Sequence, residues 1–84
     1  MNMFILSMNK FILWYHFFMF GKRLKELRLE VGLTQKELAE KLNCDQSMIA
    51  RWESCKNEPT ESNIIKVAKF FEVSSDYLIG LSDN

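Results

Sequence analysis

Two stretches, Gly32-Leu33-Thr34-Gln35-Lys36-Glu37-Leu38-Ala39 and Asp45-Gln46-Ser47-Met48-Ile49-Ala50-Arg51-Trp52-Glu53, decide the fold of this chain of 84 residues. Thr34 with Glu37 at the third position after it is the pattern of a capping box. In it, hydroxyl and carboxylate each satisfy a backbone N–H that a starting helix leaves unpaired. The helix opened there lines up Leu38, Ala39 and Leu42 on one stripe. Asn43 tolerates the left-handed backbone that ends a helix, and Asp45 belongs to the residue types that cap the next one. In that next helix Ile49 and Trp52 turn inward and Met48 is half-covered, which leaves Gln46, Ser47, Ala50 and Arg51 facing outward. Two short helices thus meet across a tight Asn43-Cys44 connection. Ala39 sits where they cross, and a larger side chain there would force them apart.

Working outward, Leu24, Leu27 and Val31 recur at i, i+3 and i+7, while Lys22, Lys25, Glu26 and Glu30 take other faces. This predicts a first helix ending near Gly32. After the central pair, Ser54-Cys55-Lys56-Asn57-Glu58-Pro59 reads as a loop, because Pro59 bars helix continuation. Thr60 caps a fourth helix carrying Ile64, Val67, Ala68 and Phe71. Ser74 or Ser75 caps a short last helix with Tyr77, Leu78 and Leu81. No alternating strand pattern, internal repeat or low-complexity linker interrupts this series. The fold class is all-α, with five helices.

A chain of this length holds one small domain and buries only about 60% of its unfolded surface, so its stability is modest unless it dimerises. Cys44 and Cys55 bracket one helix and stand roughly 15 Å apart along it. A disulfide needs Cα atoms within about 7 Å, so the spacing argues for two reduced thiols and a cytoplasmic protein. His16 is the single histidine, which leaves little material for acid–base or zinc chemistry. No paired carboxylates or activated nucleophile suggest an enzyme, and no cofactor or metal site is expected.

The composition changes at Gly21. Residues 1–20 are apolar except for Asn2, Ser7, Asn9, Lys10 and His16, and they hold most of the aromatic side chains of the chain. The segment is apolar all round rather than amphipathic. Its uninterrupted run, Phe11–Phe20, is about half the roughly twenty residues that cross a bilayer. A basic start and a small-residue cleavage site, the marks of a signal peptide, are both absent. Met19 opens Met-Phe-Gly-Lys-Arg-Leu-Lys-Glu-Leu-Arg, a natural beginning for the helical domain. Residues 1–18 therefore have several readings: an upstream extension without a selected role, a packing or dimerisation arm, or a membrane-associating segment.

Two short helices about a tight turn, the second starting with small hydrogen-bonding side chains, are the layout of a helix-turn-helix whose second helix is offered to the DNA major groove. Here the residues resemble a known family. Arg-Leu-Lys-Glu-Leu-Arg at 23–28, Gly-Leu-Thr-Gln at 32–35, Leu-Ala at 38–39, Gln-Ser at 46–47, Trp-Glu at 52–53, Pro59 and Ser-Ser-Asp-Tyr-Leu-Ile-Gly at 74–80 are similar to the phage-repressor and Cro-like helix-turn-helix domain, the Xre family. The resemblance covers residues 21–81. It implies a five-helix lambda-repressor-like DNA-binding domain behind an apolar extension at 1–20, with a short tail at 82–84.

The resemblance implies base-edge contacts for Gln46, Ser47 and Arg51. Gln pairs bidentately with adenine and Arg with guanine. It implies phosphate contacts for Thr34, Gln35, Arg23, Lys56 and Asn57, with Gln35 also against Gln46, and an ion pair between Arg28 and Glu53. Three positions depart from the family pattern. Cys55 and Asn43 stand where glycine is usual, and Lys56-Asn57-Glu58 is less basic than in many relatives. The net charge of zero predicts weak non-specific DNA affinity, although Lys22, Arg23, Lys25 and Arg28 gather in one segment.

The expected function is a sequence-specific double-stranded-DNA-binding transcriptional regulator, a repressor, in the cytoplasm of a prokaryote or encoded by a phage. The expected partners are a palindromic operator and a second copy of the chain, with the fourth and fifth helices implied as the dimer surface. Two alternatives stand beside it. One is the antitoxin of a toxin–antitoxin pair, binding its own promoter and a small protein partner (an antirepressor would be another such partner). The other is a membrane-tethered protein-interaction module.

Overall fold

The computed structural model describes the backbone of residues 3–83 and the side chains of residues 10–83. Among these lie five helices and no strand: α1 (Met3–Glu30), α2 (Gln35–Leu42), α3 (Gln46–Glu53), α4 (Glu61–Phe71) and α5 (Ser75–Leu78). This is the all-α, five-helix arrangement that the sequence predicts. The part of the apolar segment before Lys10 lies outside the described side chains.

The change of composition at Gly21 leaves no mark on the backbone, because α1 runs unbroken through it. Its 28 residues make about 42 Å of helix at 1.5 Å per residue, close to the longest dimension of the molecule, 45 Å. Leu24 is fully buried and Leu27 half-buried against the core, as the 3.6-residue pattern requires. Val31, expected to extend that stripe, is exposed. The helix stops at Glu30, so Val31 opens the turn and no longer shares the inward face. At the other side of Gly21, Met19 and Phe20 are buried.

The core gathers one or more side chains from every helix: Phe20 and Leu24 of α1, Leu38, Ala39 and Leu42 of α2, Ile49 and Trp52 of α3, Val67 and Ala68 of α4, and Leu78 of α5. The Phe20 ring meets Trp52 edge to face, with centroids 5.7 Å apart and planes at 84°, a geometry aromatic quadrupoles favour. At the next residue, Gly21 lets the two backbones approach. A Cβ on Gly21 would stand 2.2 Å from the carbonyl oxygen of Trp52. Only hydrogen fits between α1 and the end of α3.

Local signals set the helix ends. The Thr34–Glu37 capping box is formed, with Glu37 N–H donating to Thr34 Oγ1 at 3.0 Å and Thr34 N–H to Glu37 Oε1 at 2.9 Å. The first of these donors to act on the Glu37 carboxylate, Thr34 N–H, helps hold it below the ordinary carboxylate range. Thr60 and Ser74 cap α4 and α5 through their hydroxyls. Asp45 occupies the cap position of α3, but its exposed carboxylate makes no capping bond, which corrects the sequence reading.

Among the described residues, three besides glycine adopt left-handed backbone: Asn43 (φ 55°), Cys55 (φ 60°) and Glu72 (φ 57°). The first two were flagged by sequence; Glu72, closing α4, was not. At Cys55 the reversal lets Lys56 N–H donate to Arg51 carbonyl at 2.8 Å and finish α3. Both thiols are free, and partial burial pushes the Cys44 thiol up from its ordinary value.

Two stability outcomes follow. Gly21→Ala gains about 0.5–1 kcal/mol of helix propensity, but overpacking a tight contact costs about 1–3 kcal/mol. The clash is with a backbone carbonyl that cannot rotate away, so thermal unfolding should show a net loss. Cys55→Gly removes the Cβ penalty at a left-handed site and should raise stability by about 1 kcal/mol in denaturant unfolding.

Candidate nucleic-acid interface

The orientation of α3 is fixed by a buried charged side chain of α1. Arg28, 7% exposed, is the one buried charged residue among those described. Its Nε donates to Glu53 Oε2 at 2.7 Å and its Nη2 to Glu53 Oε1 at 2.9 Å, a two-pronged pair, while Nη1 donates to the Leu33 carbonyl at 2.9 Å. Glu53 Oε1 also accepts Gln35 Nε2 at 3.1 Å. These four residues tie α1, the turn before α2, the first residue of α2 and the last residue of α3 to one another. Hydrogen bonding to Glu53 raises the Arg28 pKa first, and the nearby carboxylate charge adds to it, against the opposing effect of burial. The ion pair expected between Arg28 and Glu53 is thus present.

With its last residue held there, α3 turns Ile49 (0% exposed) and Trp52 (2%) into the core. Gln46, Ser47 and Arg51 are exposed on the opposite side, and Ala50 between them is half-buried. A glutamine, a serine and an arginine grouped around a small alanine present donors and acceptors with no bulky apolar group to hold them off a surface. That face suits hydrogen bonding to base edges. Among the described residues none of these three side chains is bonded within its own chain.

The residues expected at phosphate fall into two groups. Thr34 is exposed and Gln35 half-buried at the start of α2, where unpaired backbone N–H groups favour an anion. Lys56 is exposed and Asn57 half-buried in the loop leaving α3. Gln35 is held on Glu53 rather than on Gln46. Arg23 is engaged elsewhere. Its Nη1 donates to the carbonyls of Tyr77 and of Ser82, the latter at 2.6 Å, and its guanidinium carbon lies 4.2 Å from the Tyr77 ring centroid. A long contact to Asp83, 3.8 Å, completes the set. Arg23 therefore clasps α5 and the segment after it, and does not join the α2–α3 face.

Sequence reasoning missed the role of Gln35 as a third member of the Arg28–Glu53 pair, since that bond depends on how α2 crosses α3. It also missed His16, whose Nδ1 lies 2.5 Å from the Ile79 carbonyl oxygen. The described residues contain no His/Cys/Asp/Glu group able to hold a metal ion. No helix among them is long and apolar enough to cross a membrane.

A tripod of buried polar contacts that aims a short helix outward beside a second short helix defines a helix-turn-helix protein. Comparison with known families agrees: residues 24–78 match the helix-turn-helix family model, and the chain belongs to that family. Its relatives include the HTH-type transcriptional regulator ImmR of Bacillus subtilis (strain 168), 43% identical over 60 residues, 71% of this chain and 47% of that protein. The HTH-type transcriptional activator BcrR of Enterococcus faecalis is 38% identical over 60 residues, 71% of this chain and 29% of that protein. The uncharacterized HTH-type transcriptional regulator YobD of Bacillus subtilis (strain 168) is 33% identical over 66 residues, 79% of this chain and 59% of that protein. The chain thus matches less than two thirds of the length of each of these curated relatives.

Removing one member of the buried pair leaves the other charge without compensation. Glu53→Ala should therefore lower stability by about 3–5 kcal/mol, a large share of the roughly 5–15 kcal/mol that holds a small domain folded. Chemical denaturation with a circular-dichroism readout measures it. A loss below about 1 kcal/mol, the size of an exposed pair, would show that the pair is not what fixes α3.

Proposed function

We propose that the chain is a sequence-specific double-stranded-DNA-binding transcriptional regulator that places α3 in the major groove. The observation that carries this reading is the division of α3 into a face locked by Ile49, Trp52 and Glu53 and a free polar face of Gln46, Ser47 and Arg51. Family membership supports it, as do relatives whose names describe transcriptional regulators. Gln46 reads a base edge through its paired donor and acceptor, Arg51 by donating from its guanidinium, and Ser47 adds a shorter contact.

Phosphates flanking that groove meet the N-terminus of α2 at Thr34 and Gln35, and the Lys56-Asn57 loop on the other side of α3. Arg23, held on α5, takes no part. A single module of this size makes few contacts. Two copies on half-sites about 34 Å apart, one turn of the duplex, supply the affinity a regulator needs and make the operator palindromic. The protein then acts as a homodimeric repressor by occupying its site.

The test is a selection from random duplex DNA with the full chain and with Gln46→Ala. The wild type should enrich a roughly palindromic sequence. Gln46→Ala should cost about 1–3 kcal/mol on that sequence and relax the base beneath position 46. Equal weakening on all sequences would remove Gln46 from base readout, and no enriched sequence for the wild type would overturn the function.

A further inference from the structure

Phe11, Trp14 and Phe18 recur at i, i+3 and i+7 on α1, on the side away from the buried Met19 and Phe20. Their rings touch in order: Phe11 and Trp14 at 6.2 Å, then Trp14 and Phe18 stacked at 5.4 Å. They are 67%, 56% and 38% exposed, and Leu13 and Tyr15 beside them are also exposed. The same face becomes charged at Lys22 and Lys25, both exposed, so the apolar stripe ends at Phe18. Along its flank runs an open groove of about 300 Å³ between α1 and the loop after α3, with Cys55, Lys56, Asn57 and Glu58 on the loop side and Lys10 on the helix side.

We propose that this stripe and groove form an interface with a second copy of the chain. The proposal deepens the homodimer reading above by assigning its contact surface, and it places that surface on α1 rather than on α4 and α5. Self-complementarity is the first reason. A two-fold interface uses one patch as both giver and receiver, and here Trp14 and Phe18 belong to the stripe and also line the groove, so each copy can seat its ridge in the other's cleft.

Charge is the second reason. Lys10 and Glu58 line the same groove, and neither is ion-paired within its own chain among the described residues. A two-fold axis through the groove brings Lys10 of each copy to Glu58 of the other.

Area is the third. Aromatic side chains present roughly 150–250 Å² each when fully exposed. The observed exposures of Phe11, Trp14, Tyr15 and Phe18 then leave roughly 300–500 Å² of ring surface per copy, and two copies bury roughly 600–1,000 Å² from the rings alone, the lower edge of a specific interface.

A bilayer is a poorer occupant. His16 is bonded to Ile79 and the residues after it are packed into the domain. That leaves residues 3–15 of α1, about 20 Å of helix against roughly 30 Å of hydrocarbon. Glu58 on the rim would also meet an anionic headgroup layer unfavourably.

Sedimentation velocity of the full chain without DNA, over a concentration series, tests the interface. The wild type should form a dimer, and Phe11→Glu with Trp14→Glu should weaken it about tenfold or more with the far-UV spectrum unchanged. Lys10→Glu alone should weaken the dimer, and Lys10→Glu combined with Glu58→Lys should restore it. A wild type monomeric at every concentration overturns the proposal. So does a dimer indifferent to both sets of changes, a larger assembly, or a monomer that floats with phosphatidylcholine–phosphatidylglycerol vesicles. DNA is absent from this measurement, so its failure and the failure of base readout by Gln46 are separately visible.

Discussion

The bidentate contact between Arg28 and Glu53 is the constraint on which the rest of this structure depends. Two charges taken out of water are costly unless each is fully compensated, and here two further bonds complete the set: Arg28 to the Leu33 carbonyl and Gln35 to the same carboxylate. Because each of these bonds is directional, they fix more than a distance. They fix the rotation of α3 about its own axis relative to α1 and α2. Apolar packing of Ile49 and Trp52 alone would tolerate small rotations of an eight-residue helix; the guanidinium–carboxylate geometry would not. A rotation of about 100°, one residue along the helix, would replace Gln46, Ser47 and Arg51 on the outward face with a different set.

A second, purely steric constraint works beside the first. At Gly21 α1 meets the end of α3 with no side chain between them, and the preceding residue, Phe20, lies edge-on against Trp52. The close approach brings Arg28, two turns further along α1, within reach of Glu53. α1 runs unbroken through the change in composition there, and the polar and apolar halves form one helix of 28 residues. The segment that sequence sets apart as an extension thus shares its last turn with the domain core, while Phe11 and Trp14 one to two turns earlier stand in water.

What was legible in the sequence was what depends on near neighbours or on period. Thr34 and Glu37 lie close in the chain and their capping box needs nothing from elsewhere, so it is found as read. Leu38, Ala39, Leu42, Ile49, Trp52, Val67 and Ala68 follow the 3.6-residue period and are buried as read. The left-handed backbone at Cys55 was visible only through the family resemblance, since cysteine itself gives no such signal. The misreadings share a cause, dependence on tertiary contact. Asp45 is a capping residue by type, yet its exposed carboxylate makes no capping bond. Arg23 looked like one of a basic cluster, yet its neighbours in space are Tyr77 and Ser82, more than fifty positions away. Gly21 marked a boundary of composition and proved to be a contact.

The capture of Arg23 by α5 bears on the neutral net charge. In a chain with eleven basic and eleven acidic residues, every cation buried or clasped internally lowers the positive potential a phosphate backbone would feel. Arg28 and Arg23 are both so engaged, while Arg51 on α3 and Lys56 just after it are exposed. Non-specific attraction, which grows with the number of phosphates neutralised, is correspondingly small for one copy. On the proposed reading, discrimination between sequences would rest on hydrogen bonds from α3, and total affinity on joining two such helices. A protein with little electrostatic reserve gains more from a dimer surface than a basic one does. The exposed aromatic stripe on α1 adjoins the loop that leaves α3, so pairing there would couple the position of one copy's α3 to that of the other.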